Sequence, residues 1–556
     1  MQSNVIDEFC ERSTGMEETV YFCQPMDFTA NDISYEETGY FSKLILDYLH
    51  EAPSIRSFYK YPVSIEGIRL AAAARMKFKT DRIKLVNDFA TRYESAETST
   101  EVKKNIDLLR LQNTFTITTA HQPAIFTGNL YFIYKIAHVL KLAKSLSEQL
   151  PEFQFVPVYY MGNEDADLAE LGSFFLGKEK VSWDTDQKGA IGRMKTDGLG
   201  KIINRIASEF LVQPFGDELI EMLKTSYLKS HNIQEATFVL INKIFGSQGL
   251  LVMIPDSADL KRGMQTIFEN DLLNQISSKI VGRTVESFPT SYKVQAQPRA
   301  INLFYLRDHV RELIELNNDG FEVRNTSLKF SKEEILSELE SNPERFSPNV
   351  ILRGIYQSLI LPDVIFVGGG GETGYWLELK ELFEHYEIPF PVLVLRNSFL
   401  IIEKKWKEKI VKAGIELFDL FKTEDELLNE TVKKETLNQL SLKNELDAAE
   451  TFYAGLNSIA SKVDPTLVQH VESMRIKSLN EIKEFEKKLL RNEKRKYSDI
   501  RRQIHDIKDA LFPFNNLQER VDNFIPYYAK WGRDFINQII EKSPLIEPKF
   551  TILEET

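Results

Sequence analysis

Hydrophobic and polar positions follow two textures along this chain. Short β-branched or aromatic runs read as buried strands because each is brief and ends in Gly, Pro or acidic turn residues: TFTITTA from Thr114, FQFVPVYYM from Phe153, VIFV from Val364. Longer segments with apolar residues three and four apart read as helices, notably LYFIYKIAHVLKLAKSLSEQL from Leu130 and GYWLELKELFEHYEI from Gly374. Strand, turn, helix and strand follow one another from Thr114 within about 45 residues, the order of a right-handed βαβ unit with a parallel pair. A second such unit runs from Asp363 through the glycine turn to the strand FPVLVLRNS. Between them, residues 165–350 mix strands such as GLLVMIP and AINLFYLR with helices, as large insertions into a parallel sheet would.

Residues 1–110 are expected to be mainly helical, with an amphipathic run from Ile68 to Arg110 that no Gly or Pro interrupts. Beyond residue 400 the chain turns helical and charged. Leu442, Leu446, Ala449, Tyr453, Leu456, Ala460 and Val463 step by fours and threes, as do Tyr497, Ile500, Ile504, Ile507 and Leu511. With Asp464-Pro465 between the runs, this predicts an antiparallel hairpin of about 45-residue arms, roughly 60 Å long, suited to dimerisation. The division expected is a core over 1–400, a coiled-coil arm over 401–510 and a C-terminal segment over 511–556 that packs back on the core.

Composition narrows the partners. The 556 residues carry a net charge of −13, which argues against nucleic-acid binding by the whole chain. Arg475 to Arg502 holds 11 Lys/Arg against 5 Asp/Glu, a bias that a solvated coiled-coil face explains. Cys10 and Cys23 are the only cysteines, too few for a disulfide framework or an all-cysteine metal site. Without a basic-then-apolar leader in MQSNVIDEFCERSTG or an 18-residue apolar run, the expectation is a cytoplasmic protein with no membrane partner.

Three strand ends carry candidate chemistry. HQPAIFTGNLY joins the first strand to its helix, where unpaired N–H groups and the positive helix end favour anions. There His121, Gln122, Thr127 and Gly128 are candidates, against the plainer reading of a shaped turn. The next strand ends in GNEDAD, where Glu164, Asp165 and Asp167 repel one another and call for an ammonium, an Arg or Mg²⁺, unless they serve as helix caps. The third end is GGGGETGYW, in which Gly369, Gly370, Gly371, Glu372, Tyr375 and Trp376 surround a close backbone approach. It satisfies G-x-G-x-x-G, but the following strand ends in Arg396 where a dinucleotide site has an acid. Asn349, Arg353 and Gln357 share one face of the preceding helix and suit a polar substrate. Arg299, Arg307 and Arg311 read equally as anion clamps or surface charge.

The ordered set HQPAIFTGNLYFIYK, PVYYMGNEDADLAE, PDSADLKR, QPRAINLFY, SPNVILRGIYQ, FVGGGGETGYWLELK and LFPFNNLQER resembles the bacillithiol biosynthesis cysteine-adding enzymes, a family of cysteine ligases. The resemblance covers residues 115–540. It implies an α/β fold with a Rossmann-like parallel-sheet core, two connecting-peptide insertions and a long C-terminal α-helical coiled coil through which a homodimer forms. It also implies the last step of bacillithiol synthesis, in which the cysteine carboxyl is joined to the amine of glucosaminyl malate. His121, Glu164, Asp165 and Asp167 would be the catalytic groups, with an adenine nucleotide (ATP or ADP) near Gln518 and Arg520. Mg²⁺ is allowed as a companion of the nucleotide, with no resident metal site. The chain departs from the family pattern at Ala120 (usually Gly), Ala166 (usually His) and Gly354 (usually Pro). Two other readings stay open: a catalytically silent nucleotide-binding scaffold, and an NADP-dependent reductase resting on the glycine pattern with Arg396.

Overall fold

The computed structural model describes residues 26–436 and 440–556; Cys10 and Cys23 lie outside them. Its centre is a five-stranded, all-parallel sheet of Thr114–His121, Gln154–Met161, Leu251–Met253, Asp363–Gly368 and Val392–Leu395. Numbered in chain order, the strands lie side by side as 3-2-1-4-5. Chain direction across the sheet therefore reverses between the first strand and the fourth, and the crevice beyond their carboxyl ends is where such sheets bind ligands. The same two strands end in His121 and Gly368.

Both faces of the sheet are covered, which is why its strands read as nearly continuous apolar runs. The threonines that interrupt the first strand have a use. Thr116 and Thr118 donate hydroxyl hydrogens to the buried Asp363 carboxylate, which also accepts from the Gln357 amide at 2.8 Å. These bonds fix the register of the strands on either side of the crevice. Burial raises the Asp363 carboxyl, and the two threonine hydroxyls and Gln357 partly oppose that.

Two segments are inserted into the sheet. The first, between Met161 and Leu251, holds a hairpin (Ser173–Leu176, Glu179–Ser182) and the helices Leu199–Phe210, Gly216–Leu228 and Ile233–Phe245. The second, between Met253 and Asp363, holds an antiparallel sheet that includes Leu303–Arg307 and Val310–Asn317. The helix Val350–Ile360 then leads into the fourth strand.

The first 110 residues are less uniform than their pattern suggests. A strand, Phe28–Ile33, pairs with Phe550–Glu555, and the run from Ile68 to Arg110 divides into Ile65–Lys77, Arg82–Tyr93 and Thr100–Leu108. Asp81 and Ser99 cap the second and third of these, so side-chain capping breaks the run without Gly or Pro. The arm is shorter than expected: Lys443–Val463 and Leu467–Lys494 form a hairpin of 21 and 28 residues. The second heptad run instead lies on Ser498–Leu511, whose Ile504, Ile507 and Leu511 are buried in a cluster with Leu427, Leu428 and Val432 of Glu424–Glu435. Among the described residues no helix is long and apolar enough to cross a membrane.

Candidate functional site

A cavity of about 670 Å³ opens beyond the first and fourth strands. Its walls include Ala120, His121 and Gln122 from the first strand end, Tyr131 and Lys135 from the following helix, and Gly370, Gly371, Glu372 and Tyr375 from the glycine turn. Arg353, Arg396 and Arg520 add three guanidinium groups, and Tyr40, Phe41, Ser42 and Gln295 are among the remaining lining residues.

Charge dominates the site. Lys135 is buried, with its ammonium donating to the Ala120 carbonyl and, at 2.6 Å, to Glu372. Burial lowers its pKa while Glu372 opposes that. Arg396 pairs with the fully buried Glu519 through two bonds of 3.0 and 2.7 Å. Arg353 donates to Asp165 at 2.8 Å. Arg520 makes no ion pair among the described residues, and its guanidinium lies 5.9 Å from the Phe41 ring. His121 sits among these cations, packed against the Phe132 ring at 4.7 Å. Burial and then the Lys135 charge hold its pKa well below the usual histidine value. Near neutral pH it is a neutral imidazole able to accept a proton.

The three neighbouring acids do not converge. Asp165 accepts from Arg353, from Arg311 at 3.1 Å and from Gln122 at 3.0 Å. Burial alone would raise its carboxyl, but the two arginines outweigh it and hold the pKa below the carboxylate range. Glu164 turns away to a buried cluster, paired with Lys261 beside Asp256 and Arg193. Burial raises its carboxyl and Lys261 opposes. Asp167 caps the helix Leu168–Leu171 by accepting from Glu170 N–H at 3.1 Å. Ala166 is not part of the cavity wall. Among the described residues no three or more His, Cys, Asp or Glu side chains gather as a metal site.

Other candidates also stand outside the cavity walls. Gln357 is spent on Asp363, and Asn349 caps its helix while donating to Asn302 at 2.9 Å. Trp376 is buried, stacked on Phe366 with ring centroids 4.4 Å apart. Gly369 donates its N–H to Glu372 at 2.8 Å, so a carboxylate occupies the place where a dinucleotide's pyrophosphate would meet the helix start. Gln518 is turned inward, its amide bonded to both the N–H and the carbonyl of Ile401. Thr127 and Gly128 shape the turn: Phe126, Thr127 and Gly128 all have positive φ (49°, 69° and 61°), a conformation that needs outside support. The Asn523 amide supplies it by donating to the carbonyls of Phe126 and Gly128 at 2.8 and 2.6 Å.

Lys135, Tyr131, Gln295 and the Tyr40–Ser42 stretch were not singled out by the sequence reading. A lone lysine in the otherwise apolar face of YFIYKIAHVL was the one available signal.

Comparison with known proteins agrees with this architecture. A model described as "Bacillithiol biosynthesis BshC, N-terminal Rossmann-like domain" matches residues 28–397, and one described as "Bacillithiol biosynthesis BshC, C-terminal coiled-coil domain" matches 399–555. The chain belongs to the bacillithiol biosynthesis BshC family. Relatives named "Putative cysteine ligase BshC" include one from Flavobacterium johnsoniae, 38% identical over 94% of this chain and 99% of that protein. Another, from Flavobacterium psychrophilum, is 36% identical with the same coverage. A third, from Bacillus cereus, is 26% identical over 92% of this chain and 97% of its own.

Two substitutions test this assignment of roles. Trp376→Ala is expected to lower thermal stability by about 3–5 kcal/mol, as a large core deletion does. A variant with unchanged melting temperature would return Trp376 to the list of ligand contacts. Asn523→Ala leaves two buried carbonyls unsatisfied, costs about 1–3 kcal/mol, and should expose the Phe126–Gly128 turn to proteolysis.

Proposed function

We propose that this cavity joins the carboxyl of cysteine to the amine of glucosaminyl malate, the last step of bacillithiol biosynthesis. The observation that carries the reading is the convergence of His121, held neutral by burial and the Lys135 charge, and three arginines in one cavity at the sheet's reversal point. The amine must lose a proton to attack, and His121 is the group suited to take it. Arg353, Arg396 and Arg520 suit the malate carboxylates and the charge that develops on the acyl oxygen. Glu164 and Asp167 are structural in this account, and Asp165 acts by holding Gln122 and Arg353.

A free carboxyl needs activation, so ATP or an already activated cysteine is required. Arg520 is the residue suited to phosphate, whereas Gln518 supports the strand Ser398–Ile402 behind it. Mg²⁺ would then arrive with the phosphates.

A homodimer through the arm is part of the reading. Ile476 and Phe485 are about half exposed on Leu467–Lys494, beside a shallow groove that also includes Val468 and Asn480. A second copy of the hairpin would cover them.

Incubation with cysteine, glucosaminyl malate and ATP should give a new thiol product by mass spectrometry; no product, where an authentic relative makes it, contradicts the reading. His121→Asn should cut kcat by about 10²–10⁴. The acidic limb of kcat/KM should lie below about pH 6.5, because a base with a depressed pKa stays deprotonated to lower pH. Lys135→Met, which removes a nearby positive charge, should move that limb upward, and an unmoved limb would dissociate the two residues. Ile476→Glu with Phe485→Glu should halve the mass in solution; an unchanged mass places the dimer elsewhere or removes it.

A further inference from the structure

The glycines after the fourth strand raise a question that anion binding does not answer. Glu372 already occupies the helix start, yet Gly371 and Gly374, further along, are glycines as well. A Cβ at Gly374 would lie 2.5 Å from Gln295 Cγ, too close to stand, whereas one at Gly371 would meet Gln295 Oε1 at 3.9 Å, an ordinary contact. The helix Gly370–Leu377 is therefore pared down where Gln295 crosses it.

Gln295 belongs to the irregular stretch between Ile276–Ser287 and Leu303–Arg307, and that stretch is tied at two points. Tyr292 donates its hydroxyl to Asp47 at 2.6 Å. The backbone N–H groups of Gln295 and Ala296 donate to the two oxygens of Glu378, at 2.7 and 3.0 Å. Glu378 is fully buried at the end of the same glycine helix, with no ion pair among the described residues. A buried carboxylate used only to hold two successive amides of a loop is a costly device, and it fixes one side chain of that loop at the cavity rim.

We propose that Gln295 is a substrate-contacting residue that reads the hydroxyl-bearing sugar of the amine substrate, with Glu378 as its positioning residue. The inference rests on the ligase reading above. The arginines of the cavity suit anionic groups. The Gln295 amide is uncharged: its nitrogen spends one N–H on the Lys293 carbonyl at 2.8 Å, which orients the group, and its second N–H and its oxygen are the donor and acceptor that sugar hydroxyls need. Specificity of this kind depends on geometry, which is why the loop is clamped and the helix beneath it carries a glycine, Gly374, where Gln295 crosses.

Steady-state kinetics of the whole protein tests this. Gln295→Ala should raise KM for glucosaminyl malate about tenfold, the loss of roughly one hydrogen bond, with kcat and KM for cysteine little changed. Gly374→Ala, which displaces Gln295 without altering it, should do the same, and Gln295→Glu should not rescue binding. Backbone amide exchange at residues 295 and 296 should quicken about tenfold in Glu378→Gln and slow in wild type when glucosaminyl malate is added. A change confined to kcat or to KM for cysteine overturns the inference, as does exchange that neither Glu378→Gln nor the substrate alters. Absence of product from wild type would instead sink the ligase reading, while ligand-dependent exchange still decides whether Gln295 makes the contact.

Discussion

The site depends on a single carboxylate that does not line it. Asp165 receives Gln122 from the first strand end, Arg353 from the helix before the fourth strand, and Arg311 from the inserted antiparallel sheet. Three pieces of chain far apart in sequence are thereby fixed around one cavity. The cluster keeps one net positive charge, since two guanidinium groups face one acid whose pKa they depress. Removing one partner of such a pair leaves an uncompensated charge, at a cost of about 3–5 kcal/mol. The penalty would fall on the geometry of Gln122 and Arg353, which do reach the cavity.

A second set of ties comes from the chain that returns after the arm. Glu519 neutralises Arg396, Asn523 braces the strained turn between the first strand and its helix, and Arg520 adds to the rim a cation with no ion pair among the described residues. The Asp522 carbonyl also accepts from Leu130 N–H at 2.6 Å, next to the helix that carries Tyr131 and Lys135. One rim residue, Arg520, and the supports behind the site thus come from a segment about 400 positions away from His121 in the chain. Cationic groups are gathered, but each except Arg520 is met by a carboxylate. The cavity can then receive an anion without being unstable when empty.

The parallel sheet and its strand ends were legible because β-branched runs closed by Gly, Pro or acids leave few alternatives, and the mixed stretch between the two βαβ units pointed to insertions that the resemblance numbered as two. The site was legible in part. His121, Gln122, Arg353, Gly370, Gly371, Glu372, Tyr375 and Arg520 do share one cavity. Glu164 and Asp167 looked equivalent to Asp165, since nothing local distinguishes three acids in four residues. Their partners decide the matter, and Arg353 is 188 residues from Asp165 while Lys261 is 97 from Glu164. Gln357 and Trp376 were misplaced for the opposite reason: a polar or aromatic residue near a glycine turn suggests a ligand, but Asp363 and Phe366 satisfy them internally. Capping by Asp81 and Ser99 hid the breaks in the N-terminal helices, because neither residue is a strong signal within a charged run.

The central claim is that both substrates meet between His121 and the glycine helix. A crystal structure with glucosaminyl malate bound measures it most directly. The account predicts the malate carboxylates against Arg353, Arg396 or Arg520 and the amine within reach of His121. Ligand bound instead beside Glu164 and Lys261, or against the arm with the cavity empty, would contradict it.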